Sequence, residues 1–135
     1  MKLLLVRHGE TDWNRQGKFQ GHSDAGLTTL GTRQAQAVAQ ALGHYHPSAL
    51  YSSPLLRAMQ TAELIGRALG LEVTVLEGLK EADLGELEGL DSQTMRARYG
   101  QFYARWRQDP ATATMPGGES LAQVQERAWG AVQQM

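Results

Sequence analysis

Apolar positions fall into short runs and longer periodic stretches that alternate through the first half of the chain. Leu3–Val6 is a continuous apolar run, which suits a strand covered on both faces. Ala49–Tyr51 predicts a second strand, and the alternation of Leu71, Val73 and Val75 predicts a third. Helical text lies between them. In LTTLGTRQAQAVAQALG, from Leu27, Thr28 can cap, alanine and glutamine favour helix, and Leu30, Gln34, Val38 and Leu42 recur at four-residue steps. Gly43 can close that helix. Ser53 and Pro54 read as a cap followed by proline at the first helical position. The helix they open, LLRAMQTAELIGRAL, carries Ala58, Ala62, Ile65 and Leu69 on one face and ends near Gly70. Strand, helix, strand, helix, strand is the order of a parallel sheet with crossover helices. The predicted class is therefore α/β, a three-layer, mostly parallel sheet flanked by helices.

The remaining segments are looser. Gly9 to Gly26 is glycine-bearing and polar, which predicts a loop with a turn of helix. Glu77 to Gly89 is a second polar loop. Met95, Tyr99, Phe102 and Trp106 then follow at spacings of four, three and four, an amphipathic stripe whose default use is packing. Pro110 to Gly118 is a connection, and Ser120 with Gln123 predicts a capping box. That box starts a helix whose buried stripe is Leu121, Val124, Ala128 and Val132. This helix is still running at Met135, and three short strands make a thin sheet for so many helical faces. The expectation is an interrupted domain over residues 1–135 that lacks a strand.

Composition narrows the choices. A chain of 135 residues with 41% apolar content can form one domain with a core. A formal net charge of -1 with 20% charged residues gives no bulk case for nucleic-acid or membrane partners. The absence of cysteine excludes a disulfide framework and a thiolate nucleophile. The apolar run before Arg7 is too short for a signal peptide, and no stretch approaches a membrane span, so the expected location is cytoplasmic.

Chemistry is to be sought beyond the carboxyl ends of the strands. Arg7 and His8 follow the first, and Ser52, Ser53 and Arg57 follow the second. Arg57 falls in the first turn of its helix, where a cation opposes the helix dipole and calls for an anionic partner. Two guanidiniums and a helix N-terminus in one crevice describe an oxyanion or phosphate site. His8 then has three roles open to it: a structural hydrogen bonder, a metal ligand, or a nucleophile or base beside bound phosphate. His22, His44 and His46 show no ligand spacing, which weighs against metal. Neutral imidazole is a competent nucleophile near pH 7. Among the carboxylates Glu77, Glu81, Asp83, Glu86 and Glu88, charge pattern alone selects none.

LVRHGETDWN at Leu5–Asn14 resembles the histidine phosphatase superfamily, also called phosphoglycerate mutase-like. The likeness continues in QGHSDAGLTTLGTRQA at Gln20–Ala35, SSPLLRAMQTAE at Ser52–Glu63, LKEADLGELEG at Leu79–Gly89 and PGGESLAQVQER at Pro116–Arg127. These motifs stand in family order across nearly the whole chain. The resemblance implies a phosphohistidine mechanism without metal or cofactor. His8 matches the nucleophile, and Arg7 and Arg57 match the clamp on the non-bridging oxygens. Asn14 matches a polar phosphate-pocket residue and Gln20 a further pocket contact of phosphatase-like branches. Glu81 matches the general acid that protonates the leaving alcohol and then activates water. Glu119 and Ser120 are sufficiently explained by loop anchoring and helix starting.

The resemblance also implies a second histidine, in a His-Gly pair on a further strand, and no histidine follows His46. Loss of such a donor costs roughly 10²–10³ in rate, so weak or no turnover is expected of the 135 residues alone. The first strand's flank would be left unpaired, which favours a homodimer or other edge-mediated association. Within this family mutases commonly have a longer stretch than Glu81 to Gly117, and FQG resembles the phosphatase-like pattern, so the resemblance implies a phosphomonoesterase of small phosphorylated metabolites, with α-ribazole phosphatase one version. The alternatives are a phosphoglycerate mutase, which would need 2,3-bisphosphoglycerate for priming, and a noncatalytic phosphate-binding or interaction module.

Overall fold

The computed structural model describes residues 2–135. In chain order the elements are α1 (Asp12–Arg15), α2 (Thr29–Gly43), β1 (Leu50–Ser52), α3 (Leu56–Leu69), β2 (Val73–Val75), α4 (Ser92–Arg98), α5 (Gly100–Gln108) and α6 (Leu121–Val132). Short 3-10 turns occupy Glu77–Leu79 and Gly85–Leu87. The class is α/β, with a parallel β1–β2 pair registered Leu50↔Val73, Tyr51↔Thr74 and Ser52↔Val75, joined through α3. This is one crossover unit, and it places α3's N-terminus just past the carboxyl end of β1.

The expected first strand is a correction. Leu3–Val6 joins no ladder among the described residues, so the sheet has two strands where three were predicted. A strand exists only through its partner's backbone groups, and none lies alongside this run. Nor are its faces covered: Leu5 is 88% exposed.

The helices follow local signals closely. Thr28 caps α2 by accepting from Gly31 N–H at 3.0 Å, and Ser120 and Gln123 form the capping box of α6. Gly70 closes α3 in the left-handed conformation. The start of α3 differs from expectation. Leu55 is at the cap position, and the Ser53 hydroxyl accepts from Leu55 N–H at 3.2 Å, so it serves a turn before the helix. The stripe from Met95 to Trp106 is split between α4 and α5 at Tyr99. Its residues pack with Ala82, Leu87, Met115 and Val124 in the main apolar cluster. Ala82 therefore seats the loop that carries Glu81 on the core.

The inner face of α2 also lies one position from the predicted row. Gly31, Ala35 and Ala39 are buried, whereas Leu30 is half exposed. The reason is close approach. A Cβ on Gly31 would lie 2.1 Å from Glu10 O, and one on Gly9 would lie 2.2 Å from Gly31 O. Larger residues on this face would push away the segment that carries His8. Gly31→Ala should therefore cost about 1–3 kcal/mol despite alanine's better helix propensity, read as a lower urea midpoint with an unchanged slope. A neutral or stabilising result would contradict this contact.

Candidate active site

The segment after Val6 is held by its backbone. Gly9 N–H donates to Thr61 Oγ1 at 3.1 Å, and that hydroxyl donates to Arg57 O at 2.8 Å. One threonine of α3 thus fixes both the loop bearing His8 and the turn bearing Arg57. His8 Nδ1 lies 2.7 Å from Gly9 O, a contact that requires the proton on Nδ1. The lone pair is then on Nε2, and Arg57 Nε–H donates to it at 3.2 Å.

Arg57 is only 2% exposed and needs acceptors. Its terminal nitrogens donate to Ser23 O at 3.0 Å and Gly21 O at 2.7 Å. One N–H on each terminal nitrogen has no protein acceptor among the described residues. Burial pushes the guanidinium down from its ordinary value, while Glu81, Glu88 and Asp24 favour its charge. His8 is also pushed below 6.5, first by burial and then by the positive charges of Arg57 and Arg7; the Gly9 hydrogen bond and Glu81 oppose this. Burial and the two cations favour the neutral imidazole, whose unprotonated nitrogen is directed at the buried Arg57 guanidinium.

Arg7, His8, Ser52, Ser53, Arg57 and Glu81 line one cavity of about 810 Å³. Glu81 is exposed, and its carboxylate accepts from Ala82 N–H at 2.9 Å rather than touching His8 or Arg57. Asn14 lies instead on an adjoining depression with Arg7, His8 and Gly9, and its Oδ1 accepts from Thr11 N–H at 3.0 Å in the capping box of α1. Gln20 is buried against the Thr11 hydroxyl at 2.6 Å and lines neither space. The structure thus gathers four of the six predicted side chains around the main cavity and gives Asn14 and Gln20 local structural bonds. Among the described residues no group of three His, Asp or Glu side chains could hold a metal ion.

Several residues around this site were not singled out by sequence pattern. Thr61 lies one helical turn beyond Arg57, a spacing that could have exposed it. His22, Glu88 and Arg127 offer no local signal because their partners are distant in sequence. Arg127 forms a two-pronged ion pair with Glu119, with 2.7 Å contacts from Nε to Oε1 and from the guanidinium to Oε2. Glu119, expected to anchor a loop, also accepts from Asp83 N–H at 2.8 Å.

No described helix is long and apolar enough to cross a membrane. The pattern of the histidine phosphatase superfamily (branch 1) matches residues 3–135. Phosphoserine phosphatase 1 of Hydrogenobacter thermophilus is 38% identical over 135 residues, covering 100% of this chain and 64% of the relative. A 2,3-bisphosphoglycerate-dependent phosphoglycerate mutase of Rhizobium meliloti is 38% identical over 133 residues, covering 94% of this chain and 63% of the relative. A mycobacterial glucosyl-3-phosphoglycerate phosphatase, solved with VO3, superposes with a TM-score of 0.85 at 38% identity, covering 94% of this chain and 63% of that one. The chain spans about three fifths of the length of these relatives.

Two titrations check the electrostatics. By heteronuclear NMR, His8 should protonate below 6.5 and carry its neutral-form proton on Nδ1. Because its folded value is lowered, acid favours the unfolded chain once pH falls below 6.5. Arg57→Ala, which admits water and removes the cation, should bring His8 back toward 6.5. Glu119 is held down to about 2, chiefly by its hydrogen bonds from Arg127, with the Asp83 N–H adding to the effect. Its stabilisation is complete above about 4.5 and is lost as pH falls toward 2. Between about pH 7 and 3 the protein should lose on the order of 2 kcal/mol more stability than Glu119→Gln, measured by urea unfolding. Parallel pH curves would contradict that assignment.

Proposed function

The chain belongs to the histidine phosphatase superfamily, and we propose that it hydrolyses small phosphomonoesters through a phosphohistidine on His8. The observation that carries this is the His8 arrangement: Nδ1–H tied to Gly9 O, and Nε2 facing the buried Arg57 guanidinium. In the resting site Arg57 Nε–H occupies the lone pair that must attack. A phosphoryl group entering the cavity offers stronger, anionic acceptors. Arg57 then turns its N–H groups onto the non-bridging oxygens and releases Nε2. Arg7, on the cavity wall, supplies the second cation.

Nε2 attacks phosphorus in line, the N–P bond forms and the P–O bond to the leaving alcohol breaks. Glu81, as the carboxylic acid, gives that alcohol its proton. Glu81 as carboxylate then takes a proton from water as the water attacks the phosphohistidine. Inorganic phosphate leaves and the Nε2 lone pair returns. Gly9 O holds the Nδ1 proton throughout, which stabilises the positive phosphoimidazole. Asn14 and Gln20 complete the phosphate pocket in this proposal, after their amides leave the Thr11 bonds of the resting form.

The phosphoserine phosphatase and glucosyl-3-phosphoglycerate phosphatase relatives support hydrolysis of a small metabolite. The mutase relative carries a second reading, in which a hydroxyl of another substrate receives the phosphoryl group. Brief exposure to a ³²P-labelled phosphomonoester, followed by alkaline denaturation, should leave acid-labile label on the protein. His8→Ala should abolish it, and Arg57→Ala should lower the labelling rate by roughly 10²–10³. Glu81→Gln should still label from p-nitrophenyl phosphate but lose about 10²–10⁴ in turnover. Since the 135 residues alone are expected to turn over weakly, absence of label in a folded chain extended to the length of its relatives would favour phosphate binding without catalysis. Interconversion of phosphoglycerates faster than phosphate release would favour the mutase.

A further inference from the structure

Glu81 is exposed and, among the described residues, its carboxylate is held by the next backbone N–H alone, so its aim is set by the path of its backbone. That backbone is held from two sides. His22 Nε2 lies 2.8 Å from Glu81 O, and an Arg127 guanidinium N–H donates to the same oxygen at 2.8 Å. Both lone pairs of the carbonyl are therefore engaged. Arg127 also donates to Gly78 O at 2.9 Å and Lys80 O at 2.7 Å. Its partner Glu119 grips Asp83 N–H, while Glu119 N–H donates to Asp83 O at 2.9 Å. Gly118 makes this approach feasible, since a Cβ there would lie 2.1 Å from Asp83 O.

The other side of the clamp leads back to phosphate. His22 lies between Gly21 and Ser23, whose carbonyls are the acceptors that hold Arg57. Its own N–H donates to Glu88 Oε1 at 2.7 Å, which steadies the segment. Three consecutive residues thus hold the arginine with their backbone and the Glu81 loop with a side chain. We propose that His22, with the Arg127–Glu119 pair, positions Glu81 by locking its loop to the Arg57 cradle, so that acid and phosphoryl clamp keep one fixed separation. This rests on the phosphohistidine reading above, because it assigns a reacting partner to Glu81. His22 and Arg127 touch no reacting atom and act through the Glu81 backbone. The sensitivity of proton transfer to placement gives the clamp its purpose: a shift of about 1 Å can cost roughly 10²-fold.

A clamp that only supports folding and one that aims an acid differ in their leaving-group dependence. p-Nitrophenolate departs without a proton, whereas the alkoxide of glycerol 2-phosphate needs one. His22→Ala should lower kcat for glycerol 2-phosphate by about 10–10²-fold, with KM little changed and p-nitrophenyl phosphate phosphorylation of His8 within about threefold of wild type. His22→Gln, which retains an N–H donor of similar reach, should recover most of the loss. Arg127→Gln should show the same selectivity and faster exchange of the Ala82 and Asp83 amides; if it does not fold, the His22 pair decides. Equal losses on the two substrates, no loss on glycerol 2-phosphate, or no rescue by glutamine would overturn the positioning role. In a chain extended to the length of its relatives, unsubstituted protein that never acquires label on His8 would instead overturn the phosphohistidine reading, and with it the partner assigned to Glu81.

Discussion

A guanidinium taken out of water must find acceptors in fixed places, and the site is arranged around that demand by Arg57. Its position in the first turn of α3 is locally unfavourable to a cation. The carbonyls of Gly21 and Ser23 offset this, and they force the 21–23 segment to lie over the helix start. The remaining inner N–H meets His8, so the same charge that orders the loop also selects the tautomer and lowers the proton affinity of the imidazole. Thr61, on the next turn, carries this order into the backbone at Gly9.

That arrangement needs a rigid floor, which the small-residue face of α2 provides. With glycine at positions 9 and 31 the loop backbone and helix touch directly, leaving His8 little room to drift. The apolar cluster under Ala82 does the same for the Glu81 loop. The two halves of the chemistry thus stand on separate packing units, α2 with α3 and the cluster with α4 and α5. Polar bonds through His22 and Arg127 connect them.

What could be read from the sequence follows from the range of each interaction. The caps at Thr28 and Ser120 and the closing Gly70 are decided within a few residues, and they appear where expected. Leu3–Val6 carries a strand's composition but needs a distant ladder partner, and composition cannot supply one. The face of α2 was displaced because periodicity scores Leu30 and Val38 above glycine and alanine, while close approach to Glu10 rewards the small residues. Arg57 lies in the first turn of α3, as its place after β1 implies, whereas Arg7 and His8 were sought at the end of a strand that does not form, and the Gly9–Thr61 bond brings them to the same cavity. Glu81 was not separable from Glu77 or Glu86 by charge, and only the family motif singled it out. His22 and Arg127 act across 59 and 46 residues to reach one carbonyl, a separation that leaves no mark in local pattern.

The resting bond between Arg57 and His8 also explains how an imidazole and a guanidinium can share a half-buried space. A protonated imidazole beside a guanidinium would place two positive charges in a poorly solvated pocket, so burial and repulsion keep His8 neutral. The lone pair of the half-buried neutral ring accepts from the arginine N–H at 3.2 Å. A dianionic phosphoryl group changes that balance, since its oxygens are better acceptors for the guanidinium than a neutral ring nitrogen. On the proposed mechanism, binding the anion and uncovering Nε2 are then one event. In the proposed reaction Nε2 stays capped without an anion and is released next to phosphorus with one, which would couple reactivity to occupancy without a moving lid.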